Sequence, residues 1–144
     1  MRVDFYHLTR DPAPAALVSI ARRVLESGER MLAVSGEEAM RTALSDALWS
    51  APGFLANGLA GTEDDAQQPI LIADTVGDPA NGAGMVALFD GQWRDDALRF
   101  ERTFLLFDEA TIEGARSAWR SLGERDGIER HYWKQVDGRW REGP

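Results

Sequence analysis

The sequence predicts an α/β domain with parallel strands, on three observations. The chain opens with two successive strand-then-helix units, the order that produces parallel strands joined by crossover helices. Its apolar run Met31 to Val34 lies between turn signals, as strands buried on both faces do. At 144 residues, 44% apolar and 28% charged, it has the size and composition of one globular domain with one core.

Val3 to Leu8 is rich in aromatic and β-branched side chains and reads as the first strand. Asp11-Pro12 and Pro14 turn the chain into a helix from Ala15 to Ser27. Its apolar residues, including Leu17, Ile20, Ala21 and Val24, recur at spacings of three and four, and Gly28 stops it. After the Met31 to Val34 strand, Ser35 is placed to cap a second helix, with Glu37 and Glu38 where the helix dipole favours anions. Met40, Ala43, Leu44, Ala47 and Leu48 form its inner stripe, and Pro52-Gly53 breaks it. Gly58 to Gln68 reads as an acidic loop, and Ile70 to Ala73 and Met85 to Phe89 as strands separated by the turn-rich Gly77 to Gly84. Arg99 to Phe107 is the longest β-like run, followed by a helix from about Glu109 to Leu122 that ends at Gly123. Ile128 to Val136 is a further strand, and Asp137-Gly138 is a hairpin signal leading into Arg139 to Arg141.

Composition removes several function classes. Without cysteine there is no disulfide framework, thiol nucleophile or zinc-thiolate site. No apolar run approaches the roughly 18 residues that span a bilayer, and the first ten residues lack a signal peptide's apolar segment, so a cytoplasmic protein is expected. The formal charge of -8 opposes direct DNA binding, including stacking of single strands on the tryptophans. The charge is uneven. Residues 1–98 hold 7 basic against 15 acidic side chains, and residues 99–144 hold 9 against 9, which leaves room for a basic patch near the C-terminus. Fifteen of the 16 basic residues are arginine, a bias that genome base composition suffices to produce.

Catalytic motifs find no support. The segment Gly77 to Gly84 lacks both the lysine of a phosphate-binding loop and the spacing of a dinucleotide fingerprint, so a connecting turn is expected. Glu63, Asp64 and Asp65 are adjacent acids without an alternating ligand pattern, and no metal site is expected there. Only His7 and His131 could act as imidazole bases, and neither accompanies a nucleophile elbow. Binding features are better represented. Trp49 and Phe54 flank the turn after the second helix, and in the late helix Ile112, Ala115, Trp119 and Leu122 share one face with Arg116 and Arg120 at its border. Such an edge suits an acidic peptide with a free carboxylate, although Glu113 could equally pair with Arg116.

These stretches resemble the chi subunit of bacterial DNA polymerase III, a clamp-loader component. The marks are Asp4-Phe5-Tyr6-His7-Leu8, the segment from Leu48-Trp49 to Leu59, Ala80-Asn81-Gly82-Ala83, Phe100-Glu101-Arg102, Ala115-Arg116 with Trp119-Arg120, and Tyr132-Trp133-Lys134-Gln135. Their order and spacing, taken over nearly the whole chain, carry the resemblance. It implies a doubly wound, mostly parallel sheet with helices on both faces, a nucleotide-binding-like fold lacking a phosphate loop, as one domain over 1–144. It also implies a non-catalytic subunit, without cofactor or metal, that touches DNA only indirectly. One surface would hold the psi subunit in a 1:1 heterodimer, with Trp49 and Phe54 as the psi-facing aromatics. The other would take the acidic C-terminal tail of single-stranded DNA-binding protein on Arg116, Trp119 and Arg120. The alternative is a small-molecule or nucleotide-binding enzyme on the same kind of sheet.

Overall fold

The computed structural model describes residues 1–137 and 139–143. In chain order the elements are β1 (Arg2–His7), α1 (Ala13–Glu26), β2 (Met31–Val34), α2 (Glu38–Ser50), β3 (Asn57–Leu59), β4 (Ile70–Ala73), β5 (Met85–Leu88), β6 (Arg102–Phe107), α3 (Ile112–Gly123), β7 (Glu129–Val136) and β8 (Arg139–Glu142), with short helical turns at Asp65–Gln67 and Asp95–Arg99. The strands form one sheet in the order β3-β4-β2-β5-β6-β1-β7-β8. Every neighbouring pair is parallel except β7 and β8, which are antiparallel.

This is the doubly wound α/β class that the resemblance implies. Residues alternate between the two faces of each strand, so each face has its own apolar layer. Tyr6, Met31, Ala33, Ile70, Ile72, Phe104 and Leu106 pack against α1 and α2 on one face. Val3, Phe5, Leu32, Val34, Leu88, Leu105 and Phe107 pack against α3 and the Asp95–Arg99 turn on the other. β1 and β2 lie in the same sheet but are not neighbours, since β5 and β6 separate them. Burying β1 between β6 and β7 lets its Val3 to His7 run be apolar or enclosed on both sides.

The structure shifts several local boundaries. Ser35 is not the cap of α2. It is buried at the end of β2, its hydroxyl accepts the Glu37 N–H at 3.1 Å, and the helix begins at Glu38. α3 begins at Ile112 because Asp108 and Thr111 close a tight turn first, with the Asp108 carboxylate accepting the Thr111 N–H at 3.1 Å. Of the long β-like run, Arg99 instead belongs to the helical turn Asp95–Arg99, and the strand begins only at Arg102. The first two residues of the segment read as loop, Gly58 and Leu59, instead join Asn57 in a three-residue edge strand paired with β4, too short to show a period. Gly138, the second residue of the hairpin signal, lies outside the described residues, while β7 and β8 pair as the signal predicts.

No helix joins β4 to β5. The connection Gly77 to Gly84 crosses the α3 face as irregular chain and buries Val76 and Ala83 beneath it. Buried Asn81 secures it. Its amide donates to the carbonyls of Gln68 at 2.9 Å and Met31 at 3.3 Å, and its own oxygen accepts the Ala83 N–H at 3.2 Å. The Gly-rich segment is therefore a latch at the amino ends of β2 and β4.

Candidate functional site

α3 rests on the sheet through Ala115, Ala118 and Leu122, all buried. That seating leaves Arg116 and Arg120 exposed one turn apart and turns Trp119 toward β1 and β7. Between the helix and β7 runs a groove of about 510 Å³. Its helical wall carries Ile112, Arg116, Trp119 and Arg120; its floor is Phe5, His7 and Phe107; its far wall is Tyr132 and Lys134. The structure thus brings all three late-helix residues named from the sequence into one groove.

Trp119 is fixed on several sides. Its ring meets Phe5 edge-on at 5.1 Å and Tyr132 edge-on at 6.4 Å. The Arg130 guanidinium lies 4.2 Å from the ring centroid and donates to the Trp119 carbonyl at 2.7 Å. Gly123 makes room for this arginine, because a Cβ there would come within 2.7 Å of the guanidinium. An indole locked in this way offers a rigid apolar edge at little entropic cost on binding.

The groove is mainly cationic. Arg116, Arg120 and Lys134, the chain's one lysine, face Glu109 as the single carboxylate of the lining. Arg116 is paired with Glu113 at 2.8 Å, as the sequence allowed, whereas Arg120 and Lys134 have no ion pair among the described residues. His7 is buried in the floor, stacked on Phe107 at 4.8 Å, with Nδ1 3.0 Å from the Tyr132 hydroxyl and Nε2 3.2 Å from Glu109. Burial raises the Tyr132 phenol above its ordinary value, Arg116 opposes this and Glu109 adds to it, so Tyr132 stays a donor at neutral pH.

Sequence periodicity could find Arg116, Trp119 and Arg120 because they lie on one helix. It missed His7, Tyr132 and Lys134 as partners of that helix. The available signal was alternation: Tyr132 and Lys134 are two apart on β7, opposite Phe5 and His7 of β1.

Trp49 and Phe54 are placed elsewhere. They stand at the end of α2 and in the turn beyond it, 55% and 79% exposed, with ring centroids 6.1 Å apart. Leu55 is buried just after them, and Arg22 of α1 donates to the Pro52 carbonyl at 2.6 Å, so the turn is tied down while its aromatics face outward. α2 packs over β3 and β4, and the groove lies over β1 and β7, so the two surfaces occupy opposite faces and opposite halves of the sheet.

Doubly wound sheets bind nucleotides beyond the carboxyl ends of their strands. Here that crevice, about 560 Å³, carries four acidic side chains, Asp11, Glu37, Asp90 and Asp108, against one basic one, Arg10. Asp90 is held by Arg94 through two bonds of 2.7 and 2.9 Å. Burial works to raise the Asp90 carboxyl, but the hydrogen bonds from Arg94 and from the Gly36 N–H outweigh it and keep the group ionised. Carboxylates there repel phosphate. The acidic loop is likewise occupied with itself, since Asp65 accepts the N–H groups of Gly61 and Thr62, each at 3.0 Å.

Fold and groove together define a doubly wound α/β domain with a nucleotide-binding-like sheet, an acid-lined crevice where phosphate would bind, and a cationic groove on one flank. The fold is similar to the C-terminal domain of a Saccharomyces cerevisiae Dbp5 variant determined bound to Gle1 and IP6, with a TM-score of 0.59 at 11% identity, covering 92% of this chain and 90% of that one. No curated protein is a significant match. The chain belongs to the DNA polymerase III chi subunit family (HolC), whose model matches residues 1–129. It is thus related to an accessory subunit of the replicative DNA polymerase III complex. Among the described residues no helix is long and apolar enough to cross a membrane.

Proposed function

We propose that the chain is a non-catalytic adaptor of the polymerase III assembly, acting as one domain with two protein-binding surfaces. The α3–β7 groove takes the acidic C-terminal tail of single-stranded DNA-binding protein, with Arg116, Arg120 and Lys134 receiving carboxylates and Trp119 bordering the apolar pocket. Trp49 and Phe54 receive the psi subunit, linking the tail to the clamp loader in the cytoplasm. One observation carries the tail assignment: Arg116, Trp119 and Arg120 line a single groove, with a lysine opposite. Guanidinium donors beside a rigid aromatic edge match a peptide that ends in an aromatic residue and a carboxylate.

Titration of a tail peptide tests this. Binding is expected at low salt and weakens as salt rises. Arg116→Ala is expected to cost about 1.5 kcal/mol, roughly tenfold in affinity. Absence of binding at low salt would overturn the assignment.

A further inference from the structure

A second groove, on the opposite face of β1 and β7, has the chemistry of a nucleic-acid strand site. On the face shared by α1 and α2, α1 covers β1 at Tyr6, and the β7–β8 hairpin continues the sheet beyond that helix. The β7–β8 hairpin and α1 enclose a groove of about 480 Å³ there. Four arginines line it: Arg2 and Arg102 from the floor, Arg23 from α1 and Arg139 from β8. Tyr6, Trp133 and Trp140 lie between them, Tyr6 stacked on Trp133 at 6.2 Å and edge-on to Trp140 at 4.9 Å.

The arginines are little neutralised. Arg2 and Arg102 share one carboxylate, the fully buried Asp4, at 3.0 and 2.8 Å, which aligns both guanidiniums along the floor. Arg23 and Arg139 have no ion pair among the described residues. Asp11, the lining carboxylate, accepts from the Gln135 amide at 2.9 Å. Four guanidiniums gathered in one cleft of a chain with 24 acidic residues form a local positive field. At physiological ionic strength the chain's distant charges are screened beyond about 8 Å, so this local field governs what enters.

We infer that this groove binds a short single strand of nucleic acid. The guanidiniums would meet successive phosphates, and the indoles would offer stacking surfaces to unpaired bases. The net charge that opposes DNA binding by the chain as a whole does not describe this cleft. The hairpin that forms its outer wall lies beyond residue 129, where the family match ends.

Fluorescence anisotropy of a labelled oligothymidylate of about 15 nucleotides, at low salt, tests the site. The intact chain is expected to bind. Arg23→Ala with Arg139→Ala, both on exposed side chains, is expected to weaken binding at least tenfold. It should also lower the slope of log affinity against log salt by about 1.4, since each phosphate contact on a single strand contributes about 0.7. Arg116→Ala with Arg120→Ala, in the other groove, is expected to leave oligonucleotide binding unchanged, so the site stands or falls independently of the tail assignment. Three results would each overturn it: no oligonucleotide binding at low salt, binding insensitive to the Arg23 and Arg139 replacements, or a thymidine monophosphate or acidic peptide that binds as tightly as the oligonucleotide.

Discussion

Asp4 and Asn81 belong to the stretches that carry the family resemblance, and the structure gives both structural roles. Asp4 is a fully buried carboxylate that accepts from Arg2 at 3.0 to 3.2 Å, Arg102 at 2.8 Å and the Trp133 indole at 2.9 Å. Burial acts to raise its pKa, and the hydrogen bonds from Arg2, Trp133 and Arg102 outweigh burial and hold it below the usual carboxylate range. A depressed native value means stability that is present above the unfolded carboxylate pKa, near 3.8, and lost as pH falls through the folded value. Asp4→Asn leaves two guanidiniums facing a neutral amide, and a loss of about 3 kcal/mol is expected in urea unfolding, with a weaker acid dependence. Asn81→Ala strips the latch of three hydrogen bonds and leaves buried carbonyls unpaired. An expected cost of about 2 kcal/mol would appear as a lower urea midpoint with an unchanged slope.

At the scale of elements, α3 and the β7–β8 hairpin differ in how they are secured. α3 is held by a buried apolar stripe and by Arg130, which reaches through the space left at Gly123. Gly123→Leu would push that guanidinium off Trp119; loosened tail-peptide binding with a nearly unchanged thermal midpoint is the expected result, read by calorimetry on both. The hairpin relies more on polar contacts. His131 on β7 lies 2.5 Å from Glu142 on β8 and 3.3 Å from Glu129. The hydrogen bond that the His131 imidazole donates to Glu142 leads in raising its pKa above 6.5, against desolvation and the repulsion of Arg2, with Glu129 adding to the rise. Because the folded value is raised, this contribution is complete below about pH 6.5 and fades as pH climbs through the higher folded value. Hydrogen exchange at β8 amides, corrected for intrinsic rate, should show protection falling across that window, and His131→Gln should flatten the dependence.

For the whole molecule, the sheet order separates the two proposed protein surfaces. Trp49 and Phe54 stand over the β3–β4 edge on the α2 side, and the tail groove opens over β1 and β7 on the α3 side. Sites that share no partner residues combine additively. Trp49→Ala with Phe54→Ala is therefore expected to leave tail-peptide affinity within about twofold. The same pair should abolish co-purification with psi. Because both rings are largely exposed, the double variant should unfold within a few degrees of the parent chain. A large loss of tail affinity in that variant would mean the surfaces are coupled and the division of labour is wrong.

Local pattern was enough for much of this protein. A period of 3.6 exposed α1 and the single helical face that carries Arg116, Trp119 and Arg120, and short apolar runs between turn signals exposed the Met31–Val34 and Ile70–Ala73 strands, since neighbours on one element are fixed by that element's geometry alone. The exposed turn at Trp49 and Phe54 was legible for the same reason. Pairing across the sheet was not. That β1 lies between β6 and β7, which brings His7, Tyr132 and Lys134 under α3 and Arg2, Arg102 and Trp133 under α1, depends on contacts between residues about a hundred positions apart. Strand order reflects competition among burial options for whole strands, and no short window contains the competitors. The sequence by itself thus determined the class of fold and one wall of the candidate groove, and the tertiary structure alone decided what stands opposite that wall and that a second groove lies behind it.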